Sequence, residues 1–190
     1  MEKEIFETKN GFPLDISAED SVNLTQNILN GDLSIEYLMD SIESQNPDFK
    51  KFIDGFIKQH SETDKDKYAY LGGFIFSYNI IRKVLESKGV SMPDVDIMKI
   101  NTFIGSLIED KRLFDLRYGK TDLGKTSFTI WQNSNVAIRD GGFFNVMYSL
   151  GLLIEDDIAT LPNFMEAAVL TYQLFSCLDD IQNTEDQFMR

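Results

Sequence analysis

The amino-acid sequence predicts a mainly α fold: a single-domain bundle of about six or seven helices with one β-hairpin insertion near residues 112–132. Three observations lead there. Apolar residues recur at i, i+3, i+4 spacing along most of the chain, as in Phe49, Phe52, Ile53, Phe56 and Ile57. Helix start and stop signals stand between these stripes, among them Asn30-Gly31, Asn46-Pro47 and Gly89. The composition supports a core, with 190 residues, 43% hydrophobic, 15 Phe, 4 Pro and no Ser/Gly-rich or Pro-rich linker. One domain over 1–190 is therefore expected, its helical body spanning 15–110 and 143–186.

Taken in order, Ser17-Ala-Glu-Asp20 resembles a capping box and is followed by Val22, Leu24, Ile28 and Leu29. Ser34 is expected to cap a second helix with Ile35, Leu38, Met39 and Ile42 on one face. Asn46 before Pro47 predicts the N-cap of a third. A fourth is expected from Asp64 to Lys88, stopped by Gly89, with Tyr68, Leu71, Ile75, Tyr78, Ile81 and Leu85 as its face. Gly72-Gly73 inside it weakens the helix by about 1 kcal/mol per glycine, which points to a close approach by another helix. Pro93 is expected to open the next, with Ile97, Ile100, Phe103, Ile104, Leu107 and Ile108 buried.

From 112 the pattern shortens. Arg112–Tyr118 and Ser127–Gln132 flank Thr121-Asp-Leu-Gly124, a turn-forming sequence, and the second stretch is rich in β-branched and aromatic residues; together they predict the hairpin. After Asp140-Gly-Gly142, helices are expected over Phe143–Ile154 and Asn163–Ile181, the latter capped by Asn163. Ile104-Gly-Ser-Leu-Ile-Glu-Asp110 echoes Leu150-Gly-Leu-Leu-Ile-Glu-Asp156 at an offset of 46 residues, a pattern open to duplication or to chance.

The net charge of −13 is unevenly spread: residues 1–60 carry −7, 61–140 carry +1 and 141–190 carry −7. Residues 111–139 alone carry six Lys/Arg against two Asp. An acidic body repels nucleic acid and anionic membranes and attracts basic protein surfaces, so the expected partner is a basic protein surface, such as that of a nucleic-acid-binding protein. No direct nucleic-acid binding and no membrane association are expected, and the oligomeric state is left open. The N-terminus carries no signal-peptide pattern, no apolar run reaches membrane-spanning length, and one Cys177 cannot form an internal disulfide; the cytoplasm is the expected compartment.

Chemistry has few carriers. One His60 and one distant Cys177 cannot build a Cys/His zinc site, and no Ser-His-Asp or Cys-His grouping is visible. His60 is expected to stand at a helix C-terminus, where the dipole favours a cation. Gly119-Lys-Thr-Asp-Leu-Gly124-Lys125-Thr126 matches G-x-x-x-x-G-K-[ST] and resembles the Walker A loop of P-loop nucleoside triphosphatases. The resemblance implies phosphate cradled by the amides of Gly119 to Gly124, Lys125 neutralising it and Thr126 on Mg²⁺. It covers eight residues, and departs from the family in lacking an obvious buried strand before it. Asp179-Asp-Ile-Gln-Asn183 resembles the second aspartate-rich motif of helical trans-prenyl diphosphate synthases, which implies Mg²⁺ held by Asp179 and Asp180; Asn183 replaces the last Asp, and the facing motif is missing.

The leading expectation is a non-enzymatic acidic protein-binding module or inhibitor, whose carboxylate rows imitate nucleic-acid phosphates in the manner of phage anti-defence or toxin-immunity proteins. Glu36, Asp40 and Glu43, at i, i+4, i+7, form one such row, joined by Asp156 and Asp157. Arg117, Lys120, Lys125 and Trp131 form a basic, aromatic second surface on the hairpin. No cofactor is expected under this reading; an Mg-nucleotide is expected only if the Gly119–Thr126 segment binds phosphate, and a helical Mg-dependent enzyme using Asp179/Asp180 is the remaining alternative.

Overall fold

A computed structural model describes residues 11–30, 35–119, 124–155 and 157–188, with side chains described outside 124–127 and 178–188. Among the described residues there are eight α-helices, one 3₁₀ turn and no strand. They are α1 (Ala18–Leu29), α2 (Ile35–Gln45), α3 (Pro47–His60), α4 (Asp64–Ser87), α5 (Ile97–Tyr118), α6 (Gly124–Arg139), α7 (Gly141–Ile154), the 3₁₀ turn Ile158–Thr160, and α8 (Leu161–Phe188).

The centre of the molecule is the pair α4 and α8. Gly72-Gly73 is the reason they can approach: a Cβ on Gly73 would lie 2.2 Å from the carbonyl oxygen of Phe164 and 2.8 Å from Cβ of Ala167. The helix-weakening glycines thus replace side chains by a backbone contact. Thr63 caps α4 with a reciprocal box, its hydroxyl accepting from Asp66 N–H while the Asp66 carboxylate accepts from Thr63 N–H at 3.0 Å. Gly89 follows at φ +74, the left-handed stop that its position predicts. Ile75, Tyr78, Ile81 and Leu85 are fully buried, whereas Tyr68, expected on the same face, is exposed.

Helices α2 and α3 pack on α4, α6 and α7 pack on α8, α1 lies on α7, and α5 touches α3 and α8. Phe49, Phe74, Tyr78 and Phe175 meet edge-to-face or stacked with centroids 5.2–6.3 Å apart, so the α3 stripe is core, as its period predicts. Asn46 does not cap α3 with its side chain. It is buried, donating to the Tyr78 hydroxyl at 2.8 Å and accepting from Val95 N–H at 2.9 Å. One side chain thus ties the α2–α3 junction to α4 and to the approach to α5. His60 closes α3 as expected, its ring stacked on Phe56 and Nδ1 2.9 Å from the Phe56 carbonyl.

The hairpin is absent. Arg112–Tyr118 is the end of α5, and Ser127–Gln132 lies within α6, so eight helices replace the expected six or seven. The physical reason is periodicity over a longer window. Ile100, Phe103, Leu107 and Phe114 continue one inward stripe on α5, and Phe128, Trp131, Gln132 and Val136 form another on α6. The two stripes meet, Phe114 lying 5.5 Å from Phe128 and 5.7 Å from Trp131, and that packing overrides the β-propensity of Ser-Phe-Thr-Ile-Trp. The proposed turn at 121–123 lies outside the described residues.

Other starts shift. Pro93 does not open α5; Asp96 does, its carboxylate accepting from Lys99 N–H at 2.8 Å. Asn163 lies inside α8 rather than capping it, and donates to Asp66 at 2.8 Å. Before α1, in a segment with no regular secondary structure, Phe12, Leu14 and Ile16 are buried, although periodicity places the start of the body at 15. Their anchor is Asp140, the N-cap of α7. It accepts from Leu14 N–H at 2.6 Å, from the Tyr172 hydroxyl at 3.0 Å and from Phe143 N–H at 3.3 Å. The two echoed heptads are not equivalent: Gly105 sits exposed mid-helix, while Gly151 is buried against Leu161 and Phe164 near the end of α7.

Candidate functional site

Helix α2 is held by Leu38 and Ile42, which are 2% and 0% exposed. At about 100° per residue this anchoring turns Glu36, Asp40 and Glu43 to the opposite side, and all three are exposed. The row sits within about 40° of one line along the helix and rises about 10 Å from first to last. Among the ion pairs of the described residues none includes Glu36 or Asp40; Glu43 lies close enough to Lys50 to help raise its pKa, after the larger effect of the Lys50–Asp54 hydrogen bond. Exposed Ile35 and Tyr37 border the row, adding apolar surface beside the carboxylates. Sequence periodicity had assigned Ile35 to the buried face.

The other acidic candidates do not join this row. Asp156 lies outside the described residues. Asp157 caps the 3₁₀ turn, where the N–H of Ala159 and then the Lys65 ammonium hold its carboxyl below the usual range; those contacts measure 3.0 and 3.3 Å. It therefore works as a cap and a tie to α4. Asp179 and Asp180 belong to α8, their side chains outside the described residues.

Of the basic-surface candidates, Arg117 lies at the end of α5 and Trp131 within α6. Arg117 lies over the Tyr118 ring at 5.6 Å, and Tyr118 packs on Phe114 at 4.8 Å. Trp131 reaches the same Phe114 from α6 and stacks with Phe128, so it is a half-buried seal between the two helices. Phe114 packs between Tyr118 and Trp131, a contact hidden from the sequence because the hairpin pattern predicts a strand over Arg112–Tyr118. Lys120 lies outside the described residues, and the side chains of Lys125 and Thr126 are likewise not described. Gly119 ends α5 at φ +82 and Gly124 begins α6. The eight-residue motif therefore joins helix to helix, where a Walker A loop follows a strand.

Two buried tyrosines are held far from ionisation. Burial, and then the negative charge of a hydrogen-bonded carboxylate, pushes up Tyr70, paired with Glu166, and Tyr172, paired with Asp140. Both act as neutral hydrogen-bond donors. No group of three or more His, Cys, Asp or Glu among the described residues is placed to hold a metal ion, and no described helix is long and apolar enough to cross a membrane. No protein-family model, curated protein or solved structure matches the chain.

Proposed function

We propose that the chain is a non-enzymatic protein-binding module that presents the outer face of α2 to a basic surface on a partner, and inhibits that partner by occupying a groove made for nucleic-acid phosphates. One observation carries this reading: Glu36, Asp40 and Glu43 share a solvent face on a helix anchored from behind by Leu38 and Ile42. A helix held by two buried side chains keeps the backbone beneath its carboxylates in place, so little backbone freedom remains to be lost on binding. Rows of fixed negative charge also accelerate encounter with a basic surface.

The test places a photo-crosslinking amino acid at exposed Ser44, beside the row, in the full chain expressed in its own cells. Cross-linked peptides should come from a Lys/Arg-rich, nucleic-acid-binding surface. The purified partner should release the chain as salt rises and should exchange it for duplex DNA or RNA. A partner that binds the chain and nucleic acid simultaneously would remove the mimicry; binding that persists at high salt would remove the acidic face as its basis.

A further inference from the structure

The outer face of α5 carries a pattern that the fold itself leaves unused. Gly105, Ile108, Glu109, Arg112, Leu113 and Leu116 are all exposed, Ile108 and Leu116 at 66% and 71%. At about 100° per residue they form one stripe: Gly105 and Leu116 lie about 10° either side of its midline, Glu109 and Arg112 about 30°, and Ile108 and Leu113 about 70°. Along the helix axis the stripe is centred level with the Asp110–Lys111 peptide, and the side chains of those two residues leave the helix about 130° from its midline. From either end it reads apolar, charged, charged, apolar, with the sign of charge reversed. Glu109 and Arg112 are already in contact within the helix, at 2.8 Å from the guanidinium Nε and 2.5 Å from Nη2. On the inward side Ile100 and Phe103 join the core, and Phe114 packs on Phe128 and Trp131 of α6. A Cβ on Gly105 would meet nothing within 4 Å.

We propose that this face is a self-association surface, on which α5 of a second copy pairs antiparallel about a two-fold axis that crosses the stripe between Glu109 and Arg112. In that register Leu116 of each copy seats over Gly105 of the other. Glu109 of each copy meets Arg112 of the other in the same layer, and Ile108 and Leu113 close the two flanks. A second copy is selected by three properties of the stripe. Its charges are antisymmetric about the centre, so only an inverted copy of itself supplies the complement. Its one gap, at Gly105, stands at the register of its most exposed leucine. And α5 carries four Lys/Arg against three Asp/Glu in a chain of net charge −13, so the surface that meets its copy is itself close to neutral. The contact is isologous and closes at a dimer, and its charged layer fixes the register. A single helix pair is a small interface, so the dimer is a weak one.

Sedimentation equilibrium of the full chain, from micromolar to about millimolar concentration, should show a monomer–dimer equilibrium. Glu109→Arg alone and Arg112→Glu alone should each weaken it by about 30-fold or more, by placing like charges in both central layers. An equimolar mixture of the two variants should dimerise again, because each copy supplies the charge the other lacks; a role confined to the intrahelical pair is not rescued by mixing. Gly105→Leu should abolish the dimer while raising the thermal midpoint measured at dilute, monomeric concentration, since leucine is the better helix former. A wild-type chain that stays monomeric assigns the stripe to a different protein and overturns the proposal. So does a dimer that survives Gly105→Leu, or a mixture as monomeric as its components.

Discussion

Gly73 and Gly55 are both helical glycines, yet their surroundings predict opposite effects of adding one methyl group. At Gly73 the new Cβ would overlap the Phe164 carbonyl, and overpacking of this kind costs about 1–3 kcal/mol. At Gly55 nothing lies within 4 Å, so alanine should stabilise by about 1 kcal/mol through helix propensity alone. Urea unfolding of Gly73→Ala and Gly55→Ala checks both signs at once. Asp140 is a third residue-scale constraint, since one buried carboxylate satisfies Leu14 N–H, Phe143 N–H and the Tyr172 hydroxyl. Asp140→Ala leaves these donors unpaired and should cost about 3 kcal/mol or more, with the Phe12–Ile16 segment losing amide protection in hydrogen exchange. Asp110 differs in direction: partial desolvation of its carboxyl, and then the negative charge of Glu109, raise its pKa above the usual carboxylate range. A carboxyl whose folded pKa is raised opposes folding once the pH exceeds its unfolded value, and the penalty vanishes below that value. Asp110→Asn should therefore raise the thermal midpoint at pH 7 and leave it unchanged near pH 3. Asp66 and Asp157 run the other way. Their pKa values are lowered, chiefly by the Thr63 hydroxyl and the Ala159 N–H respectively, so their contribution is present above the unfolded value and lost as the pH falls through the folded one.

At the scale of the element, α6 is the most informative. Proline at Ile130, well inside Gly124–Arg139, removes a helical hydrogen bond and clashes with the preceding turn, at a cost of about 3 kcal/mol. On an exposed hairpin strand the same change would be far milder, so denaturant unfolding of Ile130→Pro distinguishes the two structures. Helices α1 to α4 were legible in the residues because each has its own stripe and at least one end signal, Ser17, Pro47 and Gly89 among them. That another helix closely approaches α4 was legible too, from Gly72-Gly73, whereas the identity of that neighbour, α8, was not. The α5–α6 arm was not. Its local composition favours strand, and its helical period emerges only when Phe114, Phe128, Trp131 and Val136 are read as one packed set. The buried Phe12–Ile16 segment was equally hidden, since its order depends on Asp140, more than a hundred residues away. Of the candidate site, Glu36, Asp40 and Glu43 were legible as a row, whereas exposed Ile35 beside them was not. Which side of an amphipathic helix is solvent depends on the neighbour it packs against, here α4.

Across the whole molecule, one apolar core runs from Phe12 to Phe175, and the functional reading is built on its outside. The acidic row belongs to α2, remote in sequence from the near-neutral stripe on α5, so the two surfaces are separable by mutation. Reversing all three carboxylates should leave far-UV circular dichroism unchanged, because surface substitutions of this kind stay within about 0.5 kcal/mol each. Leu38→Ala on the same helix removes a buried anchor and should cost about 2–5 kcal/mol. That contrast separates loss of binding from loss of fold. The function proposed for α2 is to engage a basic partner through its exposed carboxylate row. The most direct measurement is the affinity of the partner captured at Ser44 for the wild-type chain and for Glu36→Lys/Asp40→Lys/Glu43→Lys, over a range of salt concentrations. The triple variant should lose about 100-fold or more in affinity at low salt, the difference narrowing as salt rises. Equal affinity of the two chains at every salt concentration would contradict this role for α2.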